Sequence, residues 1–97
     1  MASFVILGNF TDQGVKDVNN VKARVEATKE AMRDAGGRMI FYYMTLGEYD
    51  FVAVTELPDA ESVARMLLAI GARGHVRTQT MRAFTEDETW ALTESLP

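Results

Sequence analysis

Apolar residues along this chain alternate between a spacing of two and a spacing of three to four, and each change of period marks a new element. Phe4-Val5-Ile6-Leu7-Gly8-Asn9-Phe10 is a short run rich in β-branched and aromatic side chains, which predicts a first strand. Thr11-Asp12-Gln13-Gly14 stops it with turn chemistry. From Val15 to Ala35 the spacing lengthens. Val18, Val21, Val25, Thr28 and Met32 recur at three and four, and Ala23, Ala27, Ala31 and Ala35 add a second row. That is the pattern of an amphipathic helix, with Lys16, Asp17, Lys22, Glu26, Lys29, Glu30 and Arg33 on its wet face. Asn19-Asn20 either interrupts the first turn or caps a fresh start, and Gly36-Gly37 ends the helix.

Met39 to Leu46 and Phe51 to Glu56 read as two further strands. Gly47-Glu48-Tyr49-Asp50 joins them too tightly for a crossover helix, so they form an antiparallel hairpin. Pro58-Asp59 opens a second helix, with Asp59 as N-cap and Val63, Met66, Leu67 and Ile70 as its apolar face. Gly71 and Gly74 close it, and Val76 to Phe84 is the fourth strand. Thr85-Glu86-Asp87-Glu88 is the capped, acidic start of a short last helix, which Trp90 and Leu92 or Leu96 would anchor.

The order β-α-β-β-α-β plus a C-terminal helix is that of an α+β, ferredoxin-like domain. Right-handed crossovers place both main helices on one face of the sheet, and the strand order becomes four-one-three-two. The other face should then be polar if it meets water. It is not. On strand two, Ile40, Tyr42, Met44 and Leu46 suit the helix side, and Met39, Phe41, Tyr43 and Thr45 form the opposite face. Val5 and Leu7 alternate with Phe4 and Ile6, as Val52 and Val54 do with Phe51 and Ala53. A sheet apolar on both faces needs a second cover. A second copy packed sheet to sheet about a two-fold axis supplies one. The alternative is the C-terminal helix folding back over its own sheet.

With 97 residues the chain is short enough for one domain, and its own core gives only marginal stability. It has no cysteine to staple and one histidine, too few ligands for a metal, which leaves oligomerisation as the expected aid. No cofactor is expected. A net charge of −4 with scattered basic residues argues against nucleic acid or an anionic membrane as partner. No apolar run reaches the ~20 residues of a membrane span, and no signal peptide is visible, so the cytoplasm is the expected location.

Three segments taken together resemble the GYD-domain family: Asn9-Phe10-Thr11-Asp12-Gln13-Gly14, then Gly47-Glu48-Tyr49-Asp50 after Tyr43 and Thr45, then Gly74 followed by Val76-Arg77-Thr78-Gln79-Thr80. The resemblance runs from Phe4 to Phe84 and makes residues 1–97 one GYD-like domain. It implies a dimeric α/β-barrel of ferredoxin-like subunits and no particular activity. The same fold serves cofactor-free oxygenases, isomerases and effector-binding regulators alike.

The candidate ligand-binding residues are Tyr43, Thr45, Tyr49, Asp50, His75, Arg77, Thr78 and Thr80. Each has a structural reading beside its chemical one. Tyr49 and Asp50 are either turn residues or a phenol and a carboxylate at the mouth of a barrel. Tyr43 and Thr45 share a strand face, where Tyr43 either spans an interface or lines a cavity. Arg77 either pairs with Asp50 or Glu56 across a dimer or holds a ligand carboxylate in its planar fork. Asp50 and Arg77 would then bear on one polar site, brought together by the two-fold partner. His75 is an exposed loop residue or a proton-transfer group. Amides at the start of the first helix, by Thr11, Gln13 and Gly14, either receive an anion or simply form a turn.

These residues do not make a complete nucleophile or acid/base set. The leading expectation is a small-molecule-binding or regulatory homo-oligomer, its ligand between sheet and helices or between the two sheets. The alternatives are a cofactor-free enzyme on a small carbonyl or aromatic substrate, using Tyr43, Asp50, His75 and Arg77, and a purely structural oligomer module.

Overall fold

In the computed structural model, which describes Met1–Pro97, the chain runs β1 (Ala2–Phe10), α1 (Asp12–Lys16), a 3₁₀ turn (Val18–Asn20), α2 (Val21–Asp34), β2 (Arg38–Met44), β3 (Phe51–Leu57), α3 (Ala60–Ala72), β4 (Val76–Ala83) and α4 (Glu86–Glu94). The four strands form one antiparallel sheet in the order β2-β3-β1-β4. This is the expected ferredoxin-like arrangement, with β2 and β4 at opposite edges. No helix is long and apolar enough to cross a membrane.

The termini of the helices follow the capping residues. Asp59 accepts from the Ser62 N–H at 2.8 Å and from Ser62 Oγ at 2.7 Å, which starts α3. Those two bonds hold its carboxyl below the usual range. Thr85 and Glu88 form a reciprocal capping box at the start of α4. Before α2 the single expected helix is broken. Thr11 caps the short α1 by accepting from the Gly14 N–H at 3.1 Å, and the 3₁₀ turn Val18–Asn20 separates α1 from α2. The start of α1 is thus occupied by its own Thr11 hydroxyl, in keeping with the turn reading of that loop.

The core lies between the helices and one sheet face. Phe4, Ile6, Phe51, Ala53 and Leu57 from β1 and β3 meet Met32 of α2 and Val63 of α3. Met32 and Leu57 are fully buried, and each such side chain contributes roughly 1.5–3 kcal/mol through burial. Strict alternation fails on β2. A bulge between Met39 and Phe41 puts Met39 opposite Thr55, on the helix side, and leaves Ile40 exposed. Met39 is therefore not on the open face, as alternation predicts. After the bulge, Tyr42 packs inward against Phe51, with ring centroids 5.2 Å apart, and Phe41 and Tyr43 stack on the open face at 4.6 Å. Leu46, expected on the helix side, is 92% exposed in the hairpin loop.

The second sheet face has no cover within the chain. Val5, Leu7, Phe41, Tyr43, Val52, Val54 and Met81 share it by register, and Tyr43 is 62% exposed. The C-terminal helix does not fold over it. Trp90, Leu92 and Leu96, its expected anchors, are 52%, 52% and 70% exposed. The radius of gyration is 14.6 Å, against about 12.5 Å for a compact chain of this length.

Candidate functional site

Residues directly opposite one another in an antiparallel sheet lie on one face, and this rule divides the predicted site in two. Asn9 opposes Arg77 and Leu7 opposes Gln79, so Arg77 stands on the open face. Gly8 opposes Thr78 and Ile6 opposes Thr80, so both threonines stand on the helix face. The eight candidate residues do not converge on one point.

On the open face the β2–β3 loop crosses to β4 within a single protomer. Tyr49 donates its phenol proton to Gln79 Oε1 at 2.8 Å. Glu48, Tyr49, Leu7, Asn9, Arg77 and Gln79 line a shallow depression of about 290 Å³. Arg77 makes no ion pair here: Glu56 is engaged by Arg38 at 3.3 Å. Asp50 is engaged too. Its carboxylate accepts the Phe10 N–H at 2.8 Å, and its own N–H donates to Gly8 O at 2.8 Å. Thr45 donates its N–H to Asp50 O at 2.8 Å and its hydroxyl to Tyr49 O at 2.6 Å. Gly47 sits at φ +108°, a conformation that side chains disfavour. Thr45, Gly47 and Asp50 therefore shape the loop and tie it to β1. That is the turn reading, and the expected bridging of Asp50 and Arg77 by a partner is not needed to bring this loop to β4.

The helix face carries a second, more enclosed site. A cavity of about 80 Å³ lies beneath α2 and α3, lined mostly by apolar side chains but also by Arg24, Tyr42, Arg73, His75 and Thr78. Arg24 Nη1 donates to Asp17 Oδ2 at 2.9 Å and to Asp17 O at 3.0 Å. The other Asp17 oxygen accepts from Asn20 Nδ2 at 2.6 Å. His75 Nε2 lies 3.6 Å from Asp17 Oδ2, beyond hydrogen-bond length but within reach of ionic attraction. Arg24 Nη2 and His75 Nδ1 are buried and have no partner in the protein. His75 is held by its backbone: its carbonyl accepts the Thr11 N–H at 3.0 Å, and the Thr11 hydroxyl donates to Gly74 O. It is half-buried beside Asp17, not an exposed loop residue.

Sequence reasoning named His75 and Thr78 of this group and missed Arg24, Tyr42 and Asp17. A signal existed for Arg24. It stands three residues after Val21 and four before Thr28, on the apolar stripe of α2 and not on its wet face. A charge at such a position needs a partner, and Asp17 supplies one.

Burial pushes the Tyr42 phenol above its ordinary pKa; Arg24 opposes this and Asp50 adds to it. The folded chain thus keeps this proton to higher pH than the unfolded chain does. The contribution is complete below the unfolded value of about 10 and is lost as pH rises toward the folded one. Tyr42→Phe should therefore flatten the alkaline fall in melting temperature above about pH 10. Parallel pH–melting curves for the two proteins would show that the phenol is not shifted.

The sequence model of the GYD domain family matches residues 4–92. A protein of Thermus thermophilus named glutamine synthetase and cystathionine beta-lyase binding protein is 42% identical over 84 residues, spanning 86% of this chain and 88% of that one. Among solved structures, TTHA0845 of Thermus thermophilus aligns with a TM-score of 0.54 at 27% identity, over 87% of this chain and 94% of its own. FFRP-DM1 aligns with a TM-score of 0.60 over 87% of this chain and 100% of its own; at 20% identity it speaks for the fold alone.

Proposed function

This chain belongs to the GYD domain family, and on that premise we propose that it is a non-catalytic regulatory module, a homodimer that docks on metabolic enzymes and holds a small molecule in the cavity beneath α2. The observation that carries the reading is the uncovered sheet face. Seven apolar or aromatic side chains share it, and α4 leaves it open. Such a face on a chain of this size is the mark of an interaction surface. Sheet-to-sheet pairing would bury the face and leave the helices free to meet other proteins.

The class of partner comes from the Thermus relative, whose name gives glutamine synthetase and cystathionine beta-lyase as what it binds. The polar groups favour binding over turnover. The two proton-transfer candidates do not pair with each other: Asp50 accepts the Phe10 N–H, and His75 faces Asp17.

The test is size-exclusion chromatography of the pure protein mixed with glutamine synthetase, or with cystathionine β-lyase, from the same organism. Co-elution with one of them at micromolar concentration is the expected result. Separate elution from both at every ratio tried would remove the enzyme-docking part of this reading.

A further inference from the structure

We infer that the cavity beneath α2 is a carboxylate site, taking a small monocarboxylate with an aliphatic or aromatic body. The inference deepens the reading above and rests on its taking this cavity as a ligand site.

The charge of the lining is one-sided. Arg24 and His75 line the cavity with the exposed Arg73 at its edge, and none of its lining residues is an aspartate or glutamate. Arg24 is only half used. Its Nη1 arm is committed to Asp17, and its Nη2 arm is buried without a partner in the protein. A buried charged donor left unmade is costly, and a guanidinium edge is shaped for a carboxylate. His75 adds a second such group, since its Nδ1 is also buried and unpartnered. The Tyr42 phenol stays protonated, because burial raises its pKa, and so remains a neutral donor.

The charge count sets the valence. Asp17 offsets Arg24, and the Asp50 carboxylate near Tyr42 is engaged by the Phe10 N–H, so no more than a small positive surplus faces a ligand. That suits one negative charge better than the two of a phosphate monoester. The rest of the wall sets the body. Val25, Phe51, Leu67, Ile70 and Val76 make most of it apolar, with Thr28, Tyr42 and Thr78 its hydroxyl-bearing residues, which favours an apolar body over a sugar-like one. Size sets the length. About 80 Å³ exceeds the room of a single water but is well below the roughly 300–1,000 Å³ of pockets for drug-sized ligands. A nucleotide does not fit, whereas a short carboxylate can enter with part of its body left outside the partly open cavity.

The Arg77 depression on the open face is the competing site. It is larger and also cationic, but it is shallow, Glu48 lines it, and Tyr49 and Gln79 already satisfy each other there.

The experiment is calorimetric titration of the full chain with benzoate and with isovalerate, each beside its neutral amide, benzamide or isovaleramide. At least one acid should bind, and its amide should bind about tenfold more weakly or not at all. Arg24→Gln should cost the acid about tenfold in affinity and leave the amide unchanged. Arg24→Lys, which keeps the charge near Asp17 but loses the planar fork, should fall between. Thermal melts establish that both variants fold, and the acid–amide comparison in the parent chain does not depend on them. Equal binding of acid and amide overturns the inference. So does the absence of binding by either acid at about 10 mM, or amide-proton shifts centred on Arg77 in place of His75. Self-association and enzyme docking are measured on the same preparation. If they persist without carboxylate binding, this inference fails and the docking reading stands. If they fail while benzoate binds as described, the reverse holds.

Discussion

The Tyr43→Asp protein is expected to sediment as a monomer at micromolar concentrations at which the parent chain and Glu30→Lys are dimers. Tyr43 is on the open sheet face, opposite Val52 and stacked on Phe41. It is 62% exposed in one protomer, so the substitution leaves the protomer's own core intact. In a sheet-to-sheet dimer the new carboxylate would be buried among apolar side chains with no counter-charge. The penalty is on the order of 3 kcal/mol or more, about two decades in the dimer dissociation constant. Glu30 lies on the exposed face of α2, where a substitution changes energies by about 0.5 kcal/mol or less. Sedimentation equilibrium on the three proteins separates the outcomes. A parent chain that is monomeric throughout, or equal dissociation constants for the two variants, would show that this face is not where copies meet.

A large loss of stability is expected from Gly14→Ala. A Cβ on Gly14 would stand 2.0 Å from the His75 carbonyl oxygen, which is backbone and cannot rotate away. That carbonyl also accepts the Thr11 N–H, so moving it breaks the tie between the β1–α1 turn and the entrance to β4. Overpacking of this kind costs roughly 2–4 kcal/mol. For a domain of this length that lowers the melting temperature by about 10–25 °C. The control is Gly71→Ala. Gly71 is exposed within α3, and a Cβ there meets nothing within 4 Å. In that position alanine should be neutral or stabilising, by up to about 1 kcal/mol through helix propensity. Circular-dichroism melts of the two variants should therefore move in opposite directions. A Gly14→Ala protein that melts with the parent would mean that α1 does not press on His75 as described. The same variant should disturb the cavity beneath α2, because His75 is displaced with its carbonyl.

Element order, strand pairing and the existence of an uncovered apolar face were all legible in the sequence. The reason is local. Val21, Val25, Thr28 and Met32 can share a stripe only on a helix, and Phe4-Val5-Ile6-Leu7 can bury both sets of side chains only as a strand. The caps at Asp59 and Thr85 act on amides three residues away, so their effect is also written nearby. The family segments are legible for a related reason. Gly47 and Asp50 are needed where the β2–β3 turn forms, and their role there is the structural one.

The location of the site was not legible, because it depends on which face each residue takes and on contacts distant in sequence. One bulge after Met39 moves that residue to the helix side, and nothing in Met39-Ile40-Phe41 announces it. Alternation along β4 already separates Arg77 from Thr78 and Thr80, but only register against β1 decides that Arg77 takes the open face and the threonines the helix face. The break at Asn19-Asn20 was visible as a possibility, but its consequence was not. It turns Asp17 toward Arg24, and the β1–α1 turn brings His75 to the same carboxylate across 58 residues of chain. By itself, then, the sequence determined the ferredoxin-like fold and the need for a second cover on its sheet, since hydrophobic period and capping act over a few residues. Only the tertiary structure decided that Arg24 and His75, each with a buried and unpaired nitrogen, line one cavity, since burial and the loss of a hydrogen-bond partner belong to the packed chain and not to any segment of it.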